Sequence, residues 1–294
     1  MHRISKDNMI YAMSKDHAPV LTVENGAHVT FETCDCFENQ ITAVDTPFAE
    51  LDWNRINPAT GPVFVEGAEP GDVLAVRIER IQLASRGVMV TGPGLGVIGD
   101  DLQENVIRLL PIENGEVVFS EKVRLPLNPM IGVIGTAPAG DAISCGTPDA
   151  HGGNMDCKII TEGTTLYLPV NVPGALFALG DLHAAMGDGE VAVCGVEIAG
   201  EVTVHLSVLK NKDWQLPMAE TADAVYAIGS KPLLDDAATL ATKNMVHYLE
   251  TEHGLPKHEA IALLSLAGNL QICQVVDPLK TCRFELKKSV LKQL

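Results

Sequence analysis

Short segments in which apolar and polar side chains alternate place the strongest constraint on the fold of this chain. Residues 201–208 alternate valine or leucine with glutamate, threonine, histidine or serine, and residues 73–81 follow a similar period of two. This period is typical of a β-strand with one buried face. Comparable short runs occur at residues 29–33, 116–125 and 166–170, and turn clusters such as NPATGP and EGAEPGD separate the runs. The pattern favours an antiparallel β-sandwich or a barrel.

The carboxy-terminal part of the chain has helical periodicity instead. Apolar side chains recur at three- and four-residue intervals over residues 233–253, and Gly254 marks the predicted helix end. Pro256 can begin a second helix that ends at Gly268, and residues 270–276 return to a strand pattern. We therefore predict a β-rich body at residues 1–212 and a smaller α+β region with two helices at residues 213–294.

The charge balance restricts the classes of partner. The chain carries 38 acidic and 21 basic residues, a formal net charge of −17. This charge argues against nucleic acid and against an anionic membrane surface, because both need a basic patch on the protein. No apolar run approaches the roughly 20 residues that a membrane span needs. The seven scattered cysteines and an amino terminus that lacks an apolar signal core indicate a cytoplasmic protein with reduced thiols.

Two glycine-containing segments concentrate histidine and carboxylate side chains. HGGNMD occupies residues 151–156 and GDLHAAMGDGE occupies residues 180–190, and apolar strand-like sequence flanks both. If the second segment is extended, Asp181 and His183 share one face, where the carboxylate can orient the imidazole. The alternative for each segment is an acidic or polar surface turn. Because rigid strands hold both loops, we predict a composite hydrolytic site with a bound metal.

Two weaker candidates lie elsewhere in the chain. FETCDCFEN places Glu32 and Asp35 close together, although an exposed acidic edge explains them equally well. Cys145 could act as a thiol nucleophile, but buried packing is the commoner role of a cysteine.

These stretches together resemble the acetamidase/formamidase family of amide hydrolases. The matching stretches are NPATGPVFVEGAEPGDVLAV (residues 57–76), GTPDAHGGNMD (146–156), VPGALFALGDLHAAMGDGEV (172–191) and QICQVVDP (271–278). The resemblance implies a β-sandwich body, of the jelly-roll or CUB-like kind, with an additional mixed α/β portion. It also implies at least a homodimer and hydrolysis of the C–N bond in a small neutral amide such as formamide or acetamide. One departure is Asn269, where the family leads us to expect an aspartate.

A mechanism that fits these residues uses a divalent metal, zinc rather than calcium, and no organic cofactor. The predicted metal ligands are Asp35, His151, Asp156 and His183; the catalytic residues are Glu32, His151, Asp156, His183 and Glu190; the substrate and oxyanion contacts are Gly152, Gly153 and Asn154. The metal would lower the pKa of a bound water, and Glu190 or Glu32 would act as the general base. Backbone N–H groups of the two glycines would stabilise the oxyanion.

Three alternatives remain open from the sequence. The same carboxylates and histidines could act on water without a metal, or Cys145 could be the nucleophile. A third possibility is a non-catalytic β-sandwich that binds a metal or ligand, and Asn269 is the feature that favours it.

Overall fold

The computed structural model describes residues 2–294, which form 22 strands and three α-helices. The strands are β1 (His2–Ile4), β2 (Met9–Ile10), β3 (Ala12–Met13), β4 (Leu21–Val23), β5 (His28–Thr33), β6 (Ala59–Val65), β7 (Val73–Leu83), β8 (Arg86–Thr91), β9 (Val106–Glu113), β10 (Glu116–Val118), β11 (Arg124–Pro126), β12 (Met130–Gly135), β13 (Ile143–Ser144), β14 (Gly152–Asn154), β15 (Thr165–Pro169), β16 (Phe177–His183), β17 (Glu197–Ile198), β18 (Gly200–Leu209), β19 (Met218–Glu220), β20 (Ala224–Lys231), β21 (Asn269–Gln274) and β22 (Lys280–Lys287). The helices are α1 (Leu234–His253), α2 (Lys257–Ala267) and α3 (Lys288–Leu291), with 3₁₀ turns at Phe48–Glu50, Trp53–Arg55 and Gly99–Asp101. Among these residues, no helix combines the length and the apolar character needed to cross a membrane.

Two large sheets contain almost all of the strands. The first has nine strands in the order β1-β5-β18-β7-β15-β19-β20-β22-β21, antiparallel except for the β1–β5 pair. The second has eleven strands and contains the path β11-β10-β9-β8-β17-β16-β12-β14, from which β6 branches off β16 and pairs in turn with β2 and β4. A small third sheet pairs β13 with β3. The predicted mainly β fold with helices near the carboxy terminus is confirmed.

The two large sheets share one hydrophobic core. The rings of Phe31 on β5 and Phe177 on β16 meet edge to face across it, with 5.7 Å between their centroids. Alternation along β18 buries Val202, Val204 and Leu206, as its period of two predicts. Burial of each such side chain contributes roughly 1.5–3 kcal/mol to folding. The sequence pattern thus identifies which face of each long strand packs inward.

One predicted strand is in fact a hairpin. Residues 116–125 form β10 and β11, which pair with each other in antiparallel fashion. The Ser120 Oγ accepts hydrogen bonds from the backbone N–H groups of Lys122 (3.3 Å) and Val123 (3.1 Å), and this closes the turn. The local side-chain to backbone bonds compete with an extended strand, which explains why the run bends.

The carboxy-terminal helices pack on the first sheet. Helix α1 buries Ala237, Ala241, Met245 and Leu249 against β20 and β22, and it ends at Gly254 with φ of 66°. The predicted helix boundaries agree with the structure to within one residue. Strands β19 to β22 continue the sheet that contains β5, β7 and β18. One sheet therefore runs across residue 212, and the division of the chain there stays a prediction.

Candidate active site

Strand β16 carries the centre of the candidate site. All of its residues are buried, and Asp181 and His183 are its two titratable side chains. In the neighbouring strand β17, Glu197 lies directly opposite His183. On the other side, β12 separates β16 from β14, and Asp156 follows β14 by two residues. Strands β16 and β17 and the segment after β14 thus deliver one imidazole and three carboxylates to one place.

Two further carboxylates reach the same place from loops. Glu190 belongs to the loop between β16 and β17, and Asp277 belongs to the turn between β21 and β22. The Gly189 N–H donates to the carbonyl oxygen of Cys273 at 2.8 Å, and the Val275 N–H donates to the carbonyl oxygen of Gly189 at 3.2 Å. These backbone bonds fasten the Glu190 loop to the carboxy-terminal strand that leads to Asp277.

Four carboxylate groups surround the imidazole of His183. Their oxygen atoms lie at these distances from His183 Nε2: Glu197 Oε1 3.1 Å, Asp181 Oδ1 3.5 Å, Asp156 Oδ1 3.7 Å and Glu190 Oε1 4.0 Å. His183, these four carboxylate residues and Asp277 are together named the His183 cluster below. Every member is at most 9% exposed. The cluster therefore places five acidic side chains around one imidazole, away from water.

Several polar atoms of the His183 cluster are left without hydrogen bonds. Asp156 Oδ1, Glu190 Oε2 and Glu197 Oε2 are buried and find no hydrogen-bond partner among residues 2–294. A buried, unsatisfied carboxylate oxygen is costly, so native proteins pair such atoms with a donor, a water or a cation. The orphaned oxygens indicate that the cluster is shaped for something that binds it.

The carboxylates respond to burial and to one another. Burial raises the pKa of Glu197 to about 7. Burial and the charge of Asp277 raise the pKa of Asp156 well above its ordinary value. In the same way, burial and the charge of Asp156 raise the pKa of Glu190, and burial and the charge of Glu190 raise the pKa of Asp277. These shifts follow from the crowding of acidic side chains away from water, and a cation bound among them would favour the ionised carboxylates.

His183 and Asp181 form the ionised core of the cluster. Burial alone would lower the pKa of His183, but the charges of Glu197 and Asp181 outweigh it and hold that pKa well above its ordinary value. For Asp181, burial raises the pKa, and the charge of His183 more than compensates, so that its pKa is lowered. The buried imidazolium of His183 partly neutralises the carboxylates around it.

The His183 cluster forms the floor of a cavity of about 460 Å³. Asn154 also lines this polar end, and its Nδ2 donates to Asp277 Oδ2 at 3.1 Å. The remaining lining comes largely from residues 36–57, where apolar side chains such as Phe48 and Trp53 alternate with the polar Asn54 and Asn57, and Val90 and Leu95 also contribute. A small molecule can thus enter with its reacting group toward the carboxylates.

The structure brings Asp156, His183, Glu190 and Asn154 to this cavity, whereas the other predicted site residues lie outside its lining. Glu32 is partly exposed and accepts a hydrogen bond from Arg3 Nε at 2.8 Å. Asp35 closes a turn, because its Oδ1 accepts from the backbone N–H groups of Phe37 and Asn39 at 3.0 and 2.7 Å. Burial raises the pKa of Asp35 to about 6.

His151 and the two glycines that follow it lie beside β12. Gly152 and Gly153 pair with Gly135 and Ile134, and the Gly152 N–H donates to the Asp149 carbonyl oxygen at 3.0 Å. His151 is 3% exposed, and burial lowers its pKa to about 4, which keeps the imidazole neutral. The predicted metal, base and oxyanion roles of these residues stay predictions.

The cysteines of the chain are free throughout residues 2–294, and all are buried. Burial raises the pKa of Cys145 to about 12, and its Sγ lies 3.6 Å from the Ile10 carbonyl oxygen. Cys36 and Cys194 line the cavity, and burial raises the pKa of both thiols. These environments suppress the thiolate form that nucleophilic catalysis needs. Asn269 lies outside the lining and donates to Glu285 Oε2 at 2.9 Å.

Sequence reasoning missed Glu197 and Asp277, and it considered Asp181 only as a partner of His183. A signal was available for Asp277, which lies in the QICQVVDP stretch. Glu197 gave little local signal, because β17 contains only two residues. Its position opposite His183 depends on strand pairing, which the local pattern does not specify.

The chain matches a known protein family over most of its length. The model of the Acetamidase/Formamidase family matches residues 6–145 and 139–287 of the chain. The chain belongs to this family. The assignment agrees with the stretches that carry the resemblance. Three of those stretches contain Asn154 or members of the His183 cluster.

Solved structures of family members superpose closely on this chain. An acetamidase from Bacillus halodurans is 50% identical with a TM-score of 0.98, and the match covers 99% of each chain. A predicted acetamidase/formamidase from Thermoanaerobacter tengcongensis is 48% identical with a TM-score of 0.97, covering 99% of this chain and 97% of that chain. A putative formamidase from Schizosaccharomyces pombe is 26% identical over 257 residues, which are 65% of this chain and 61% of the relative. The chain thus matches less than two thirds of that relative's length.

Proposed function

We propose that the chain hydrolyses the C–N bond of small linear amides to a carboxylate and ammonia. The observation that carries the proposal is the His183 cluster, with its orphaned carboxylate oxygens, at the floor of a cavity of about 460 Å³. Amide hydrolysis needs an activated water, a stabilised oxyanion and a proton for the leaving nitrogen. Membership of the Acetamidase/Formamidase family and the names of the relatives support the same reaction class.

We propose further that a divalent metal belongs to the His183 cluster, because its donor atoms fit one. Two groups of three residues have ligand atoms within 4.8 Å of one another: Asp156, His183 and Glu190 in the first, and Cys36, Asp181 and Glu197 in the second. When bound, a divalent cation polarises an amide carbonyl and lowers the pKa of a water molecule. The imidazole of His183 favours zinc over calcium, which prefers an all-oxygen set.

The polar end of the cavity can orient and protonate the amide. Asn154 Oδ1 is buried without a hydrogen-bond partner in the described part of the chain, and it can accept from the N–H of the substrate. Asp277, whose Oδ2 accepts from Asn154 Nδ2 at 3.1 Å, has a pKa that burial raises, which suits it to pass a proton to the departing nitrogen. Glu197 Oε1 lies 3.1 Å from His183 Nε2, the nitrogen that also faces Asp156 and Glu190, and Glu197 belongs to the second group of possible ligands.

The test measures ammonia release from formamide and acetamide together with metal content. One preparation is assayed as purified, after treatment with a chelator, and after zinc or calcium is added back. We expect activity to disappear with the metal and to return with zinc. Asp156→Asn should lower kcat/KM by roughly 10³-fold or more and reduce bound zinc, because it removes a ligand charge. Asp213→Asn, at a side chain that is 78% exposed, is the matched control and should match the parent protein.

Other outcomes would support the alternatives. Activity that survives metal removal would assign the chemistry to the carboxylates alone, and stoichiometric loss on thiol alkylation would favour a cysteine. Metal or ligand binding without turnover of any amide would favour a binding protein. Assembly as a homodimer and a cytoplasmic location stay predictions, the first from the resemblance and the second from the reduced cysteines and the amino-terminal sequence.

A further inference from the structure

The cavity above the His183 cluster is larger than formamide or acetamide needs. A volume of about 460 Å³ corresponds to about 15 water molecules at roughly 30 Å³ each. Acetamide carries a single methyl group beyond its reacting amide, so it would leave most of this space filled with water. Cavities of a few hundred Å³ usually bind ligands with many more heavy atoms. The aromatic and aliphatic residues of the lining all lie outside the His183 cluster, and they form the apolar side of the cavity.

Aromatic side chains are concentrated on that side. The chain has only two tryptophans, four tyrosines and seven phenylalanines. Four of these residues, Tyr11, Phe37, Phe48 and Trp53, line this one cavity. The rings of Phe48 and Trp53 meet edge to face with centroids 5.0 Å apart. Trp53 is 49% exposed, so a large apolar surface faces the opening and gains from being covered.

The loop that carries Phe37, Phe48 and Trp53 is held in place by its own hydrogen bonds. This aromatic loop, residues 36–57, is closed at its base where the Asn57 N–H donates to the Cys36 carbonyl oxygen at 2.8 Å. Across its middle, the Asp52 N–H donates to Gln40 Oε1 at 2.8 Å. A wall held in this way is formed before a ligand arrives, so little ordering cost opposes binding.

The charged groups near the aromatic rings are already engaged with one another. The Tyr11 hydroxyl donates to Glu38 Oε2 at 2.6 Å, and the guanidinium of Arg55 forms an ion pair with the same carboxylate. A charged acyl group would have to break this network or remain unpaired in the cavity. The apolar side therefore selects a neutral, apolar group.

On the basis of the proposed function, we propose that the preferred substrates are linear primary amides with an apolar acyl group of about six to eight carbons. Hexanamide and phenylacetamide represent the class. The amide lies at the His183 cluster, and the acyl chain or ring packs against Phe48 and Trp53. Each methylene buried there should raise kcat/KM about fourfold, the factor that corresponds to roughly 0.8 kcal/mol per buried CH₂.

The test is a substrate series measured with one enzyme preparation: acetamide, butanamide, hexanamide and phenylacetamide. We expect kcat/KM to rise along the aliphatic series, by about 250-fold from acetamide to hexanamide when all four added methylenes are buried and by at least about tenfold when two are. Phe48→Ala and Trp53→Ala should lower the hexanamide-to-acetamide ratio at least about fivefold. Trp214→Phe is the matched control, because Trp214 packs against Tyr167 and Tyr248, outside the cavity lining, and the ratio should not change.

The outcomes separate this inference from the proposed function. Acetamide turnover that equals or exceeds hexanamide turnover, or a ratio unaffected by Phe48→Ala and Trp53→Ala, would overturn the inference and leave the amidase function intact. If no amide is hydrolysed, the proposed amidase function is wrong. The preference for an apolar acyl group is then tested by the binding of hexanamide and acetamide. Trp214→Phe leaves Trp53 as the sole tryptophan, so its emission reports on the cavity. A saturable change with hexanamide, and none with acetamide at equal concentration, would support the apolar pocket; no change with hexanamide would reject it.

Discussion

At the scale of single residues, the His183 cluster depends on two glycines as much as on its carboxylates. A Cβ at Gly195 would lie 2.8 Å from His183 Nδ1, and one at Gly132 would lie 2.8 Å from Asp181 Oδ2. The Gly132 Cβ would also collide with the Asp156 carboxylate. These close approaches explain why β12 and the β16–β17 loop carry glycine where the cluster packs on the backbone. Glycine at these two positions therefore leaves the space that the side chains of the His183 cluster occupy.

Gly132→Ala should lower activity while leaving the protein folded. The added methyl group displaces Asp156 or Asp181, and a misplacement of about 1 Å can reduce the rate about 10²-fold. The expected loss of stability is roughly 1–3 kcal/mol, typical of an overpacked core. Amide hydrolysis and urea denaturation measure the two effects. Gly140→Ala, where nothing lies within 4 Å of the added Cβ, is the control; wild-type activity in Gly132→Ala would contradict the argument.

At the scale of elements, an ion pair between a buried arginine and an exposed aspartate fastens the Glu190 loop to the carboxy-terminal strands. The side chain of Arg283 on β22 is 2% exposed, that of Asp188 is 33% exposed, and the guanidinium donates to both carboxylate oxygens at 2.8 Å. Arg283 Nε also donates to Gln271 Oε1 on β21 at 2.6 Å. Asp188 lies two residues before Glu190, so this pair helps to fix the position of the Glu190 loop.

Asp188→Ala should destabilise the protein, because it leaves the buried Arg283 cation with only neutral partners. We expect a loss of about 1.5–3 kcal/mol, the range of hydrogen bonds to charged groups. Lys158, whose Nζ lies 2.9 Å from Asp188 Oδ2 with its side chain 36% exposed, provides the comparison. Lys158→Ala should cost at most about 1 kcal/mol. Urea denaturation of both variants tests this, and equal losses would show that the Arg283–Asp188 pair has no special weight.

The sequence predicted those elements whose signal is local. The period of two located β5, β7, β15 and β18, and the helical stripe with Gly254 located α1, because burial of one face dictates both patterns. The hairpin of β10 and β11 was missed, since hydrogen bonds of Ser120 override the apolar run. Such a bond depends on one side chain and does not appear in a periodic pattern.

The candidate site was less accessible to sequence reasoning than the fold. The loops around His183 and Asp156 were predicted to form a site because glycine, histidine and carboxylates occur together there. Glu197 meets His183 through strand register, and Asp277 meets Asn154 across 123 residues of chain. Pairings of this kind are set by the packing of the whole sheet. Glu32 has the right chemistry but lies on the surface beside Arg3, which composition alone could not reveal.

At the scale of the whole molecule, the His183 cluster makes stability depend on pH. A group whose pKa is raised by folding contributes stability that is complete below its unfolded pKa and is lost as pH rises through the folded value. Glu197, with an ordinary value of 4.5 and a folded value of about 7, belongs to this class, and so does His183. His151, whose pKa burial lowers to about 4, acts in the opposite sense, but its contribution is complete once pH exceeds its ordinary value of 6.5. Above that pH the raised groups dominate.

The metal-free protein should therefore lose stability as pH rises from about 6.5 to about 8.5, by about 1.4 kcal/mol per pH unit for each proton released on unfolding. The zinc-loaded protein should show a shallower dependence, because a cation favours the ionised carboxylates. Thermal unfolding of both forms across this range measures the difference in Tm. Glu197 titrates between about 4.5 and about 7, so Glu197→Gln should reduce the slope of the metal-free protein mainly below about pH 7. A metal-free Tm that rises with pH, or equal slopes with and without zinc, would show that the buried carboxylates are compensated by other means. In that event the case for a cation at the His183 cluster would weaken together with the pH prediction.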